Sequence, residues 1–484
     1  MVSFFCLVLL GGRKYMRILL IDAPYINLYG VHRIAVGRYF PLSLGYLAAV
    51  LEKGGHTVKI ATLNGVKDYE SIIENLVKEY LPQLIGFTAM TPSFPMAVKL
   101  AEKIRIWTSC PLVIGGSHVS AFGEHLWNQT AVFDGVIMGE GEYTLLELAN
   151  YLAEGGDQPT HIPGLIWKLP GSQPINNVPR SFLVDLDKLP FPARHLVELD
   201  KFSTSSHIKG KESLTMITSR GCPFNCRFCS SHMVHGRQYR VHSPGYVVEE
   251  IIFLKNTYNL KYIFFQDDTF TLNRERLEKI LDLILSKELK IKWGCFSRVD
   301  ILDKQMASLF KRSGCESLVF GIESGSQMAL EKMNKKISLE QVRKAITVCE
   351  EIGIRSLASF VVGFPFETRK DIQQTIKFAK TLPATKVVFN PLVPFPGSSF
   401  FNKSRHFPGK LEGWSRFLTT KEPPFQMVQD CTPSEIYRLV KRGHISFYLR
   451  PKQLMRMGRS IHSWNDFLSY CQGAISLSRQ LLKG

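Results

Sequence analysis

The sequence predicts an α/β protein with two consecutive parallel-sheet domains and a helical C-terminal region. Short β-rich apolar runs alternate with amphipathic helical stretches over residues 17–154, and the same alternation returns over residues 214–397. Strands that alternate with helices pair in parallel, because each helix crosses over the sheet to bring the next strand alongside. The 484 residues are 45% hydrophobic, enough for several buried cores, and no run of about eighteen uncharged apolar residues predicts a membrane span.

Residues 1–15 are expected to form an extension ahead of a first domain that begins near Met16. The apolar stretch Val2–Leu10 has no basic residue before it and runs into Gly-Gly-Arg-Lys, which argues against a signal peptide. Apart from one group of three, the ten cysteines are scattered singly, as is typical of a reducing compartment and not of a disulfide scaffold. We therefore expect a cytoplasmic protein.

The first domain, residues 16–155, is predicted to be a doubly wound parallel sheet. Its predicted strands are Arg17–Ile21, Thr57–Ile60, Leu84–Met90, Leu112–Ile114 and Gly135–Met138. The stretches between them place apolar residues at helical spacing, most clearly over Tyr69–Tyr80. In such sheets ligands bind beyond the carboxyl ends of the strands, here Asp22–Tyr25, Thr88–Thr91 and Gly115–His118.

Residues 156–213 are rich in proline and are predicted to be a linker. The alternation then resumes over a second domain, residues 214–400. Its predicted strands are Leu214–Ile217, Tyr262–Gln266, Lys292–Arg298, Ser317–Ile322, Ser356–Gly363 and Val387–Pro391. Six such units predict a partial (β/α)6 barrel, in which reactive residues gather at the carboxyl ends of the strands.

The C-terminal region, residues 401–484, is predicted to be helical, with helices over Pro433–Tyr448 and Met455–Leu481. It holds 14 Lys and Arg against 5 Asp and Glu, which is half of the net charge of +18. A basic region can bind RNA, an anionic membrane surface or an acidic partner, or can simply be a solvated surface. We expect no DNA partner and no membrane contact beyond a peripheral one, and one role for the region is to cover the barrel mouth.

Three cysteines, Cys222, Cys226 and Cys229, form a C-x3-C-x2-C pattern directly after the first strand of the second domain. Soft thiolates favour iron and zinc, and a [4Fe–4S] cube held by three cysteines keeps one iron open to a chelating substrate. The alternatives are three buried structural cysteines, or a zinc site completed by His232 or His235. A structural zinc site usually adds a second CxxC or HxxxH pair, which the sequence lacks, so the spacing favours the cluster.

This loop, with Phe228 before its last cysteine, resembles the cluster loop of the radical S-adenosylmethionine (SAM) superfamily. The resemblance implies that the open iron is chelated by the amino and carboxylate groups of SAM. An electron from the reduced cluster then cleaves SAM to a 5′-deoxyadenosyl radical, which requires an external electron donor such as flavodoxin or ferredoxin.

The same resemblance implies SAM contacts at the strand ends of the barrel. The residues it indicates are Phe228, Gln266, Asp268, Arg298, Glu323 and Ser324. Two of them have a structural alternative: Asp268 is also suited to cap the next helix, and Arg298 to form a surface salt bridge with Asp300.

The first domain resembles the flavodoxin-like cobalamin-binding domain, whose pattern is D-x-H-x-x-G, then Ser or Thr, then Gly-Gly, after three of its strands. The positions it indicates for cobalamin are Asp22, Thr88, Gly115 and Gly116. Pro24 stands at the histidine position and Asn27 at the glycine position, which implies that no histidine of this motif binds cobalt. The alternative is a flavodoxin-like domain that binds another nucleotide or nothing.

Together the resemblances imply a cobalamin-dependent radical SAM enzyme that methylates an unactivated carbon of a small metabolite or lipid. The sequence assigns no catalytic side chain. A first alternative is a radical oxidative cyclase that closes or rearranges a ring. A second is an RNA methylthiotransferase, although its first domain would need three cysteines where only Cys110 stands, and its C terminus a β-barrel. The third is a non-catalytic cobalamin-binding sensor.

Overall fold

The computed structural model describes most of the chain, in four stretches: residues 15–26, 28–29, 38–202 and 212–459. These residues form two compact units. The first unit consists of residues 15–24, 43–182 and 189–197, and the second of the other described residues. Asn27 and most of the helix predicted over 455–481 lie outside the described residues. No helix in the described stretches is both long and apolar enough to cross a membrane.

The first unit contains a seven-stranded sheet. Its strands are β1 Arg17–Asp22, β2 Thr57–Thr62, β3 Leu84–Thr88, β4 Leu112–Gly115, β5 Gly135–Ile137, β6 Leu165–Trp167 and β7 Ile175–Asn176. They lie in the order β2-β1-β3-β4-β5-β6-β7, parallel as far as β5 and antiparallel after it. The central strands β1 and β3 are buried along most of their length, as expected of a sheet covered on both faces. The doubly wound sheet is therefore confirmed, and the proline-rich segment adds β6 and β7 to it.

Five helices belong to this sheet: α1 Leu42–Lys53, α2 Tyr69–Tyr80, α3 Phe94–Trp107, α4 Ser117–Phe122 and α5 Glu142–Ala153. In α2 the residues Ile73, Val77 and Tyr80 are buried, at the spacing of one helical face, while Ile72 is exposed. A short 3-10 helix over Gly123–Asn128 follows α4. The helices thus follow the periodicity seen in the sequence.

The second unit contains eight strands. They are β8 Ser213–Met216, β9 Ser219–Arg220, β10 Arg240–Val241, β11 Tyr262–Phe265, β12 Lys292–Ser297, β13 Cys315–Glu323, β14 Arg355–Val362 and β15 Lys386–Pro391. Six of them form one parallel sheet in the order β15-β14-β13-β12-β11-β8, and β9 pairs with β10 in an antiparallel ribbon. This is the predicted partial (β/α)6 barrel, so the predicted fold class is confirmed.

Ten helices complete the second unit: α6 His232–His235, α7 Pro244–Tyr258, α8 Arg274–Ser286, α9 Lys304–Arg312, α10 Gln327–Lys332, α11 Leu339–Ile352, α12 Arg369–Thr381, α13 Lys403–His406, α14 Pro433–Tyr448 and α15 Pro451–Arg459. Side-chain oxygens cap the helices that alternate with the strands, at Ser243, Asn273, Asp303, Ser338 and Thr368. Each cap accepts an otherwise unpaired backbone N–H and so fixes where the loop after a strand gives way to helix.

The C-terminal helix α14 covers the outer edge of β15. The Tyr448 hydroxyl accepts the Val387 N–H at 3.1 Å and donates to the Val387 carbonyl at 2.9 Å, and His444 Nε2 accepts the Phe389 N–H at 3.0 Å. An edge strand exposes unpaired backbone groups that invite pairing with other chains. The helix therefore closes one end of an otherwise open sheet.

Candidate active site

The three cysteines lie in a loop that begins at the carboxyl end of β8. Gly221 turns the chain into this loop with a φ of +81°, and a Cβ there would overlap the Gln238 carbonyl oxygen. Glycine is therefore required at this position. The preceding residues Ser219–Arg220 are held by pairing with β10, so the loop leaves the sheet from a fixed point.

Cys222, Cys226 and Cys229 are free thiols, and each is half-buried. Burial raises the pKa of the Cys222 and Cys226 thiols above the ordinary value. The sulfur of Cys229 lies 3.2 Å from the Ser231 hydroxyl and accepts the Ser231 N–H at 3.5 Å. All three positions of the pattern are thus available as thiolate ligands once a metal displaces their protons.

The described residues also bear on the alternative of a single metal ion. Within the described residues no three His, Cys, Asp or Glu side chains converge as ligands of one metal ion, and this includes His232 and His235 on α6. A zinc ion needs its ligands about 2.0–2.3 Å from one point. In a [4Fe–4S] cube each cysteine binds a different iron, so the sulfurs stand further apart.

The segment after α10 holds the cysteine loop in place. The Met333 carbonyl accepts the Arg227 N–H at 3.0 Å, and Asn334 Nδ2 donates to the Asn225 carbonyl at 2.8 Å. Asn334 has a φ of +56°, a left-handed conformation that asparagine tolerates better than most residues. Local sequence patterns do not predict this support, because its two halves lie more than 100 residues apart.

Asp267 anchors the chain between β8 and the cysteine loop. Its buried carboxylate accepts the Thr218 N–H at 3.1 Å, the Thr218 hydroxyl at 2.8 Å and the Ser219 hydroxyl at 2.5 Å. Burial raises the pKa of Asp267, although these hydrogen bonds oppose the shift. Arg276 joins the same network by donating to the Thr218 carbonyl at 2.9 Å. Asp267 is thus a supporting residue, which the sequence pattern did not separate from its neighbours.

Gln266 and Asp268, the predicted SAM-binding residues, flank this anchor at the end of β11. Gln266 is half-buried and Asp268 is exposed. Although part of Asp268 reaches solvent, burial of the carboxyl group raises its pKa, and the charge of His235 opposes that shift. The alternative role of Asp268 as a helix cap is wrong, because Asn273 caps α8. Asp268 therefore has no role as the cap of this helix.

Arg298 forms the pairing with Asp300 that was the alternative to a cofactor contact. Its Nε and Nη2 donate to the two Asp300 carboxylate oxygens at 3.0 and 2.8 Å. The pair is not at the surface, since the Arg298 side chain is only 7% exposed. The guanidinium carbon stacks 3.7 Å from the centre of the Phe224 ring in the cysteine loop. Arg298 thus packs against the cysteine loop, and its guanidinium group is already paired with the Asp300 carboxylate.

Glu323 forms a buried ion pair at the end of β13. Its carboxylate accepts Lys335 Nζ at 2.9 Å, and the two side chains are only 8% and 12% exposed. Burial alone would lower the pKa of Lys335, but the charges of Glu323 and Cys226 hold it above its ordinary value. Lys335 Nζ also lies 5.8 Å from the centre of the Phe228 ring. Sequence reasoning missed Lys335, because it lies in the loop after α10 and not at a strand end.

Ser324, which the sequence also predicts to contact SAM, instead lies against α12. It is fully buried, its hydroxyl lies 3.2 Å from Thr375 Oγ1 in α12, and it accepts the Ser326 N–H at 3.1 Å. These contacts shape the turn that leads into α10.

Phe228 belongs to a group of aromatic rings around the cysteine loop. Its ring centre lies 6.0 Å from that of Phe364, which in turn stacks on Phe366 at 5.3 Å and meets Phe400 at 5.5 Å. Phe364 follows Gly363, whose φ is +97°, at the end of β14. Of these four rings, Phe364 is buried and the other three are half-buried.

In the first unit, the predicted cobalamin positions lie in one row across the carboxyl edge of the sheet. Asp22 at the end of β1 is paired in register with Thr88 at the end of β3, and Thr88 with Gly115 at the end of β4. Gly116 follows with a φ of +107°, and a Cβ there would lie 2.6 Å from the Ala89 carbonyl oxygen. Gly116 is thus required by the close packing of the turn after β4 against the Ala89 backbone, at the edge where ligands of such sheets bind.

Two titratable groups at this edge are perturbed by burial. Burial raises the pKa of Asp22 to about 7, against the opposing effect of a hydrogen bond from Asn64 Nδ2 at 2.5 Å. His118, two residues beyond the glycines, is fully buried between Phe94 and Phe122 at ring distances of 4.2 and 4.8 Å. Burial lowers the pKa of His118 to about 3. Its ring is therefore enclosed between two aromatic side chains.

Both units match known protein families. Residues 216–379 match the radical SAM superfamily, and residues 33–149 match the B12 binding domain. The chain is 35% identical over 447 residues to the uncharacterized methyltransferase PH0819 of Pyrococcus horikoshii, an alignment that covers 92% of this chain and 95% of that protein. It is 27% identical over 397 residues to the anaerobic magnesium-protoporphyrin IX monomethyl ester cyclase of Rubrivivax gelatinosus, covering 80% of this chain and 70% of that protein.

A solved structure shows the same fold. The radical SAM methyltransferase TsrM of Kitasatospora setae, with cobalamin and a [4Fe–4S] cluster bound, aligns with a TM-score of 0.66 and 20% identity, over 88% of this chain and 81% of that one. With the long match to PH0819, both family matches and the common fold, the chain belongs to the family of radical SAM enzymes with a B12-binding domain, whose cofactors are a [4Fe–4S] cluster, SAM and cobalamin.

Proposed function

We propose that this enzyme transfers a methyl group to an unactivated carbon of a small metabolite or lipid. The observation that carries the proposal is the loop of three free, half-buried thiols at the carboxyl end of β8, within the stretch that matches the radical SAM superfamily. When bound, the cluster and SAM supply a radical that removes a substrate hydrogen, and cobalamin supplies the methyl group. The relative PH0819, which matches nearly the whole chain, is named a methyltransferase.

The side chains around the loop have distinct proposed roles. Cys222, Cys226 and Cys229 would hold the cluster. The Glu323–Lys335 pair would bind the polar groups of SAM, because it offers a carboxylate and an ammonium next to Cys226 and Phe228.

The other predicted SAM positions divide into two groups. We retain the proposed contact with SAM for Gln266, Asp268 and Phe228. Arg298 and Ser324 are engaged with Asp300 and Thr375, so we assign them a positioning role for the loop and the turn. In the first unit, Asp22, Thr88, Gly115 and Gly116 would face cobalamin.

A second candidate reaction is radical oxidative ring closure. The cyclase of Rubrivivax gelatinosus aligns over most of this chain, so the same framework is compatible with that chemistry. The two reactions differ in their products, since a methyltransferase adds one carbon to the substrate and a cyclase removes hydrogen without adding carbon.

The first prediction tests the cluster. Anaerobically reconstituted protein is expected to bind close to one [4Fe–4S] cluster and, after reduction, to cleave SAM to 5′-deoxyadenosine. Cys226→Ala should abolish both, because the loop then offers only two thiolates. Iron and sulfide analysis with chromatography of the nucleoside measures the two effects. Cys110→Ala, a change at a cysteine of the first unit, is the control, and SAM cleavage by Cys226→Ala would contradict the assignment.

A further inference from the structure

Four exposed basic side chains surround the outer face of the cysteine loop, residues 222–229. They are Arg227, Arg237, Lys332 and Lys336, and we call them the basic patch. Arg237 donates to the Phe224 carbonyl of the loop at 2.8 Å, and Arg227 donates to the Lys332 carbonyl at 3.2 Å. The Lys336 carbonyl accepts Arg298 Nη2 at 3.2 Å, which ties it to the guanidinium stacked on Phe224. All four residues are therefore attached to the loop or to its immediate support.

The basic patch keeps a net positive charge, although the exposed Glu331 directly precedes Lys332. The segments 222–238 and 332–336 contain no Asp or Glu. In the part of the chain that the structure describes, none of the four side chains forms an ion pair with a carboxylate. A charged surface of this kind sets up a field that attracts an acidic partner.

Aromatic rings hold two members of the patch in position. The Arg227 guanidinium carbon lies 5.2 Å from the centre of the Phe400 ring, and Lys332 Nζ lies 5.6 Å from that of Phe366. Cations above ring faces are held by the ring quadrupole. The two charges are thus ordered before any partner arrives, which lowers the entropy lost on binding.

We propose that the basic patch is the docking surface for an acidic one-electron carrier protein. The inference rests on the proposed function, in which the cluster must gain one electron for each SAM molecule cleaved. The carrier's reduced centre would be oxidised by one electron and the cluster reduced by one, with no atom exchanged. Electron-transfer complexes are small and depend on charge for fast association, so a preformed positive surface beside the cluster ligands suits such a carrier.

Stopped-flow reduction of the reconstituted full-length protein by a reduced flavodoxin tests this proposal. The variant Lys332→Glu/Lys336→Glu is expected to slow reduction by at least about tenfold at low ionic strength, because association loses its electrostatic steering. The matched control, Lys344→Glu/Lys377→Glu, makes the same charge change at exposed positions of α11 and α12 and should leave the rate near that of the unchanged protein. The extent to which dithionite reduces the cluster should be equal in the unchanged protein and in both variants.

A wild-type rate that does not fall with added salt, or equal slowing in both variants, would overturn the docking proposal. A second result would also overturn the docking proposal. The variant Lys332→Glu/Lys336→Glu would lose binding to polyuridylate or to phosphatidylglycerol vesicles while flavodoxin still reduced its cluster at the full rate, which would mean that the basic patch binds a polyanion. Failure of the unchanged protein to take up iron would overturn the proposed function itself, and the docking proposal with it. If dithionite reduces the cluster of the variant as fully as that of the unchanged protein, slow reduction by flavodoxin reports on docking and not on cluster assembly.

Discussion

Glu323 and Lys335 form a buried ion pair beside the cysteine loop. Glu323 also has a φ of +72°, a left-handed conformation that costs a non-glycine residue about 1–3 kcal/mol. Gly321, two residues earlier, provides the space for this arrangement, because a Cβ there would overlap the Glu323 carboxylate. A strained residue in a buried ion pair persists only where its surroundings hold it in place.

Removing the cation of this pair should therefore be costly. In Lys335→Met the Glu323 carboxylate is left buried without its partner, and we expect unfolding to become easier by about 3–5 kcal/mol. Urea unfolding followed by circular dichroism measures the loss. Lys336→Met, at the exposed neighbour, is the control and should change the free energy of unfolding by less than about 0.5 kcal/mol. Equal losses in both variants would mean that the pair does not stabilise the protein.

Gly116 is the second residue for which the structure predicts a sharp effect. Gly116→Ala would place a Cβ 2.6 Å from the Ala89 carbonyl oxygen and force a left-handed φ on alanine. Gly155→Ala imposes the same backbone strain, since its φ is +92°, but its Cβ would meet nothing within 4 Å. We expect about 1–2 kcal/mol of destabilisation from the strain in both variants and a further loss only in Gly116→Ala.

Cobalamin binding separates the two variants further. Equilibrium titration with hydroxocobalamin should show weaker binding for Gly116→Ala, because the β4–α4 turn must move, and unchanged binding for Gly155→Ala. Identical affinities would remove Gly116 from the cobalamin site.

At the scale of the elements, α14 acts as the cover for the edge of β15. Tyr448→Phe removes the hydroxyl that bonds both backbone groups of Val387, and the expected loss is about 1–3 kcal/mol in the free energy of unfolding. Tyr437→Phe in the same helix removes a hydroxyl with no described hydrogen bond and serves as the control. Because an uncovered edge invites pairing between chains, light scattering should also show faster aggregation of Tyr448→Phe alone.

The strands and helices could be predicted from the sequence where local periodicity specifies them. The predicted strand Leu84–Met90 and the observed Leu84–Thr88 differ only at the end, and α2 coincides with its prediction. The short strands β6 and β7 could not be foreseen, because two or three residues among prolines show no period. They form only through pairing of β6 with β5 and of β7 with β6. The cover provided by α14 is likewise a contact between distant segments.

The residues of the candidate site also divide into those that a local sequence pattern predicts and those that it does not. The three cysteines, Cys222, Cys226 and Cys229, lie close together in sequence, so their spacing alone predicts a joint site. Lys335 and Asp267 act through partners 12 and 49 residues away, and nothing in the local pattern distinguishes them from surface charges.

At the scale of the whole molecule, the second unit includes residues that the strand pattern assigns to the linker. The boundary predicted from the sequence is residue 214, but residues 183–188 and the described residues from 198 onward belong to the second unit. Asp187 accepts the Ser243 N–H at 2.9 Å and His242 Nδ1 at 3.2 Å, and Arg240 Nη1 donates to the Leu183 carbonyl at 2.9 Å. The segment thus satisfies buried donors at the start of the barrel.

A fragment of residues 183–484 should therefore be more stable than one of residues 214–484. His242 is only 1% exposed, and burial lowers its pKa to about 4, so at pH 7.5 it is neutral and needs a partner for its ring nitrogen. Each buried polar group left unpaired costs about 1–3 kcal/mol, and the shorter fragment loses the partners of two, the His242 ring and the Arg240 guanidinium. Urea unfolding at pH 7.5 compares the fragments. Asp187→Ala in the longer fragment should reproduce much of the loss, and Asp282→Ala, at an exposed position of α8, should not. Equal midpoints for the two fragments would place the boundary at residue 214 after all.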